Sequence, residues 1–409
     1  MKKVFLVVLA IVLVRGLILS GCANSAPAPT PSSPAWEWPA AFKVLSQTGK
    51  RVGHTGIPAT VWGPLLEKDT GMKVRQAAEA ITAMGIKRCV SGEVHIFVVN
   101  IEVIAHAMQG TSIFATRDVG PFPVRVIWPC AISGFAVLVR GDSYLKDMHD
   151  MKPGVKISVH PGPSPRSGAY ALGAWAGLTE DQVDIVTFGS PPAAERAIPE
   201  GKVDCKYSPT MTGGILEMEG TPHGIRWLEL DPEKDPEGAK RFMEYKPFSV
   251  FGSAPTASCP TARGIKVVIA PFCYYGTEES IDTELAYNVA KWLGENFDAY
   301  KDGWRSSNDL SIDTFKEILQ TSPFPIHSGV IKYLKEKGIW TAKDAKRQAF
   351  NVELTDRYVK AYKAALAEAD KKGIKVGPAN EVWMNLWAEH KKALPRFKVR
   401  FEIAPPSKF

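Results

Sequence analysis

The chain is poor in the features that announce chemistry. Its six cysteines in 409 residues include no C-x-x-C pair, so no zinc site is indicated. Gly-x-Ser-x-Gly is missing, and neither a carboxylate pair nor a metal-ligand cluster stands out, which argues against an enzyme and implies no cofactor. The formal charge of +7 is spread along the chain without a dense basic block. It supports a mild attraction to anionic ligands or lipids and excludes a nucleic-acid partner from the reading. No fixed-period repeat occurs. The apolar run Val4 to Val14 stops at Arg15, short of a membrane span.

What is present begins with an export signal. Met1-Lys2-Lys3, the apolar run and Leu19-Ser20-Gly21-Cys22 read as a lipoprotein signal over residues 1–21. Cys22 would then carry the lipid anchor of a periplasmic, membrane-anchored protein. Residues 22–36, rich in Ala, Pro and Ser, read as a flexible tether. Five cysteines remain, at positions 89, 130, 205, 259 and 273, enough for at most two disulfides in an oxidising compartment, with pairing open.

The body is 45% hydrophobic over the whole chain and long enough for two domains. Apolar runs and helical spacings alternate from Phe42 to Tyr207, as an α/β fold with largely parallel sheets requires. Two long apolar runs, Phe135 to Arg140 and Gly264 to Ala270, suggest crossings between lobes. Lobe I is placed at 37–138 plus 266–340 and lobe II at 139–265, with a hinge between. Residues 341–409 read as a helical extension in which Trp383 and Trp387 share a face, suited to the parent body or to a partner.

Three polar loops follow strand patterns and precede helices. In the first, Thr48 to Gly56, glycines allow a tight turn and Lys50 and Arg51 add positive charge, a candidate anion cradle that includes Gly53, His54 and Thr55. A plain surface turn fits the same residues. The second, His160 to Ala169, offers Ser164, Arg166 and Ser167 to an acidic group. The third, Ser208 to Gly214, offers Thr210, with Thr212 as a hydroxyl contact or a helix cap. Asn100 ends an apolar strand where open α/β sheets place ligand contacts, though a cap for the helix from Ile101 fits equally. Phe248, Phe251, Tyr274 and Tyr275 are candidates for an apolar wall or for core.

Several ordered segments resemble the TAXI-type solute receptors of tripartite ATP-independent periplasmic (TRAP) transporters over roughly residues 42–340. They are the Thr48 to Gly56 loop, Ser91-Gly92-Glu93-Val94, Gly110-Thr111, Phe135 to Arg140 with Ser143 to Met148, Pro163 to Gly168, and Phe324 to Tyr333. The resemblance implies a two-lobed, periplasmic-binding-protein-like receptor that closes on a small solute and delivers it to TRAP membrane subunits. The cationic loops suggest a carboxylate-bearing solute, an organic acid or amino acid. A ligand-sensing subunit of a signalling system is the alternative. Where the family has a Gly-Gly-Thr-Tyr-Tyr type loop, this chain has Arg51 to Gly56, so the family's ligand does not transfer.

Overall fold

The computed structural model describes residues 36–47, 57–79, 83–161, 163–255, 258–304 and 307–399. Cys22, the tether up to residue 35 and the first cradle, with Lys50, Arg51, Gly53, His54 and Thr55, lie outside them. From Trp38 onward the described residues form one compact unit.

The first third alternates strand and helix: β1 (Ala41–Gln47), α1 (Ile57–Thr70), β2 (Lys73–Glu79), α2 (Ala83–Val90), β3 (Ile96–Asn100) and α3 (Ile101–Met108). After the long strand β4 (Val124–Arg140) come β5 (Val155–Val159), α4 (Pro163–Trp175), β6 (Val183–Thr187), α5 (Pro191–Arg196), β7 (Cys205–Pro209) and α6 (Gly213–Glu219). Then follow β8 (Ile225–Leu228), α7 (Pro236–Tyr245), β9 (Val250–Ser253) and the second long strand, β10 (Lys266–Glu278). The rest is helical: α8 (Thr283–Glu295), α9 (Phe297–Tyr300), α10 (Ile312–Thr321), α11 (Ser328–Glu336), α12 (Ala342–Lys371) and α13 (Glu381–Lys391). This is the expected α/β architecture with a helical C-terminal extension.

The strands join one sheet in the order β2-β1-β3-β10-β4-β7-β5-β6, with β8 on β4 and β9 on β10. Parallel pairs lie at the two ends: β2-β1-β3 at one, β7-β5-β6 at the other. Between them run β4 and β10, antiparallel to each other. Pro129 and Gly134 suggest a break in β4, yet the strand continues through both. It does so at the cost of register irregularities opposite Pro271, Cys273 and Tyr275, because a proline supplies no ladder N–H and bulges absorb the misfit. A Cβ at Gly134 would lie 2.7 Å from the Pro255 ring, so this crossing needs a glycine.

A dry aromatic core lies under this spine. Trp62 donates to the Tyr275 hydroxyl at 2.9 Å, and Trp128 donates to the Leu310 carbonyl at 2.7 Å. Tyr274, Tyr275 and Phe248 are buried, and Phe251 packs with Trp175 and Phe242, so these aromatics are core. The segment Phe324 to Tyr333 is structural as well. Val126 donates to Pro325 O at 2.8 Å, His327 N donates back to Val126 O at 3.0 Å, and His327 Nδ1 caps α11 by accepting from Gly329 N. Cys89, Cys130, Cys205 and Cys259 are buried and take part in no disulfide.

The extension docks on the body through its tryptophans. Trp383 donates to Ala115 O at 3.0 Å, Trp387 to Gln109 O at 2.9 Å, and Tyr362 to Thr116 O at 2.7 Å. Gly110 and Gly120 make room, since a Cβ at Gly120 would overlap the Tyr362 ring. Among the described residues no helix is long and apolar enough to cross a membrane.

Candidate functional site

Asn100 closes β3 and caps α3: its side-chain oxygen accepts from Val103 N at 2.9 Å, the cap reading of this residue. Two residues on, Glu102 projects from the first turn of α3. It meets the first turn of α4, from the other end of the sheet. Helix α4 starts at Pro163, six residues earlier than the apolar spacing from Ala169 suggests, because a proline is at home in a first helical turn. Ser164, Arg166 and Ser167 are therefore helical residues rather than loop residues.

The Ser164 hydroxyl donates to Glu102 Oε2. Lys246, which follows α7, donates from Nζ to Glu102 Oε1 at 2.7 Å and Oε2 at 2.9 Å, and to Ser164 O at 3.1 Å. Its side chain is 2% exposed against 17% for Glu102. The same ammonium lies 5.2 Å from the centre of the Tyr207 ring, a cation–π contact. Burial pushes the Tyr207 hydroxyl well above its ordinary pKa, and the Glu102 charge adds to it. A lysine this buried needs its charge matched, and the carboxylate matches it with charge-assisted bonds.

Beside this junction, His106 of α3 pairs through Nδ1 with the Thr111 hydroxyl at 2.8 Å. Burial holds His106 below the usual histidine pKa, with Glu102 opposing the shift and Lys246 and Lys391 reinforcing it. The imidazole thus stays neutral at neutral pH.

Strand β7 carries a second buried polar group on its opposite face, since Lys206 and Ser208 alternate with Cys205 and Tyr207. Lys206 contacts Tyr207 O and Ser208 Oγ only at 3.4 and 3.3 Å. Burial lowers its pKa and raises that of nearby Glu195, so desolvation outweighs their mutual attraction. At the end of β5, His160 is pushed down to about 4 by burial and by Lys206.

The other sequence candidates separate. Ser167 donates to Ser164 O at 3.0 Å and steadies the first turn of α4. Arg166 is exposed and donates to the Tyr170 hydroxyl at 3.2 Å. Thr210 is fully buried, its hydroxyl 3.2 Å from Gly134 O and 2.8 Å from Ser258 Oγ, so it braces β4. His95 is structural: its Nδ1 accepts from Lys43 N at 2.8 Å and its ring stacks on Phe42. Glu102 and Lys246 escaped sequence reasoning, because an acid in a first helical turn and a lone lysine after a helix are both ordinary surface patterns.

The family model described as NMT1-like matches residues 57–338. The chain belongs to the NMT1-like family. The match takes in α3, α4 and Lys246 and ends before α12, so the helical extension lies beyond the NMT1-like part. No curated protein matches in sequence. Among solved structures, this NMT1-like chain is similar to the periplasmic aliphatic sulphonate binding protein SsuA from Escherichia coli, at 14% identity and a TM-score of 0.44, covering 78% of this chain and 87% of that one. The alkanesulfonate-binding SsuA from Xanthomonas axonopodis pv. citri is also 14% identical, at a TM-score of 0.39, with 83% and 95% covered. A periplasmic binding protein from Brucella ovis with glutathione bound is 13% identical, at a TM-score of 0.40, with 64% and 73% covered.

Proposed function

We propose that this chain is an extracytoplasmic receptor that closes on a small carboxylate-bearing solute, an organic acid or amino acid, and hands it to a membrane transporter. One observation carries the reading. The first turns of α3 and α4 follow parallel strands at opposite ends of the sheet, β3 and β5, and they face each other through Glu102 and Ser164. In open α/β sheets this region, beyond the carboxyl ends of parallel strands, is where ligands bind.

Lobe I then takes 37–138 and 266–340, lobe II takes 139–265, and the chain passes between them at the end of β4 and the start of β10. The solute sits between the 48–56 segment, the Asn100 end of β3 and the start of α4. Lys50, Arg51 and Arg166 supply its countercharge, with Gly53, His54, Thr55, Ser164 and Ser167 around it. The ordered sequence segments favour a TRAP transporter as acceptor, and Cys22 supplies the lipid anchor.

Mass spectrometry of small molecules co-purified with the full chain should reveal an unmodified carboxylate-bearing compound, and calorimetry with that compound should show weaker binding after Arg166→Ala. Binding confined to neutral or cationic solutes, unchanged by Arg166→Ala, overturns the assignment. Capture of ATP-driven transporter subunits from membranes would replace TRAP with that class, and loss of palmitate labelling in Cys22→Ala tests the anchor.

A further inference from the structure

Two long-range contacts converge on consecutive residues. Lys246 grips Glu102 of α3 with both carboxylate oxygens, and the next residue, Pro247, accepts a hydrogen bond at 3.0 Å from the backbone N–H of Val399, near the end of the described chain. The tail reaching Pro247 is anchored just before it arrives. Tyr358 of α12 donates to Pro395 O at 3.1 Å, and the Phe397 ring is fully buried against Phe324 and Tyr358, at 5.4 and 4.9 Å between centres. Residues 395–397 thus sit on the helical region that follows β10. Residue 399 sits on the segment joining α7 to β9.

Four further anchors of the extension, Trp383, Trp387, Tyr362 and Lys391, reach the turn that follows α3, at the carbonyls of Ala115, Gln109 and Thr116, while Arg347, Gln348 and Asn351 of α12 bond to residues 319–326. One end of the extension therefore grips the segment that continues from α3, and its tail grips the neighbour of the lysine that holds α3. From this convergence we infer that the C-terminal extension and the Glu102–Lys246 ion pair form a strap across the cleft, which holds the two lobes closed before any solute arrives.

The inference rests on the two-lobe receptor reading and adds regulation to it. A solute must work against the strap to enter, and a membrane partner that lifts residues 395–399 would open the cleft and release the cargo. The extension lies outside the match to the NMT1-like model, whereas Glu102 and Lys246 lie within it. Opening frees Lys246 and Glu102 to water, which makes this contact reversible where a purely apolar seam would resist parting.

The test is the distance between spin labels at Lys68→Cys and Lys152→Cys in the full chain carrying Cys22→Ser, with no solute added. Both labelling positions are exposed. The parent should give one short distance. Glu102→Gln, and separately deletion of 397–409, should each add a longer-distance population, with the closed-to-open ratio falling about tenfold or more, the scale of a charge-assisted hydrogen bond. Exchanging the pair, Glu102→Lys with Lys246→Glu, should restore the short distance.

Because Phe397 is core, Val399→Pro serves as the milder variant, removing one N–H from the tail. Unchanged distances in variants with intact thermal unfolding overturn the strap. Titration of the same proteins with short mono- and dicarboxylates, alkanesulfonates and amino acids separates the two readings. Distances that respond as stated with no solute bound leave the strap and overturn the receptor. Solute binding with unresponsive distances does the reverse.

Discussion

The seat of the extension on the body and the junction of α3 with α4 both join residues far apart in sequence, but by opposite means. Trp383 and Trp387 are fully buried among Tyr358, Tyr362 and backbone carbonyls, a dry contact whose strength scales with apolar area. At the α3–α4 junction, one buried ammonium, one carboxylate and a hydroxyl do the joining. The first contact is costly to part, since most of what it would expose is apolar. The second gives up charge-assisted bonds but recovers hydration. A contact of the second kind parts more readily than one of the first.

The largest test of this contrast falls on the dry seat. Trp387→Ala should cost about 3–5 kcal/mol in urea unfolding, since it empties a closed aromatic cluster. A loss below about 1 kcal/mol would mean that the extension is not integral to the body.

A carboxyl beneath the dry spine gives the next effect. Asp309 accepts from Ile132 N at 3.0 Å, and burial pushes its pKa from 3.8 up to about 7. Between those values the folded state keeps a proton that the unfolded chain has lost, so stability should fall as pH rises from about 4 to 7, by on the order of 3 kcal/mol. Asp309→Asn should flatten that part of the pH profile, and an unaltered profile would show that another group sets it.

At the charged junction the expected effect is smaller. Lys246→Met should cost about 1.5–3 kcal/mol, and a double-mutant cycle with Glu102→Gln should return a coupling of similar size. A cycle pairing Glu102→Gln with Trp387→Ala should return about zero, and strong coupling there would erase the distinction between the two contacts. The smallest effect is at the cap that aims Glu102. Asn100→Ala should cost about 1 kcal/mol and Asn100→Ser much less, read by thermal unfolding.

Much of the local structure was legible in the sequence. The spacing from Ile101 to Met108 defined α3, the long charged pattern from Ala342 defined α12, and the apolar runs Phe135 to Arg140 and Gly264 to Ala270 fall largely on β4 and β10. Helical and strand periodicities report which face of an element is buried, and these segments are periodic enough to read. Local rules misplaced the start of α4 and split β4, because a proline ends a pattern on paper and is tolerated at a first helical turn or a bulge.

The sequence by itself determined the alternation of strands and helices and the apolar face of the last helix, while the structure decided that Asn100 and Thr212 serve as caps. Only the tertiary structure decided that Glu102 meets Lys246, 144 positions away, and that Trp387 reaches Gln109, 278 positions away. Periodicity fixes what a residue's near neighbours along the chain must bury. Which distant charge answers a buried lysine depends on how β4 and β10 bring α3 and α4 face to face, and no spacing within either segment encodes that.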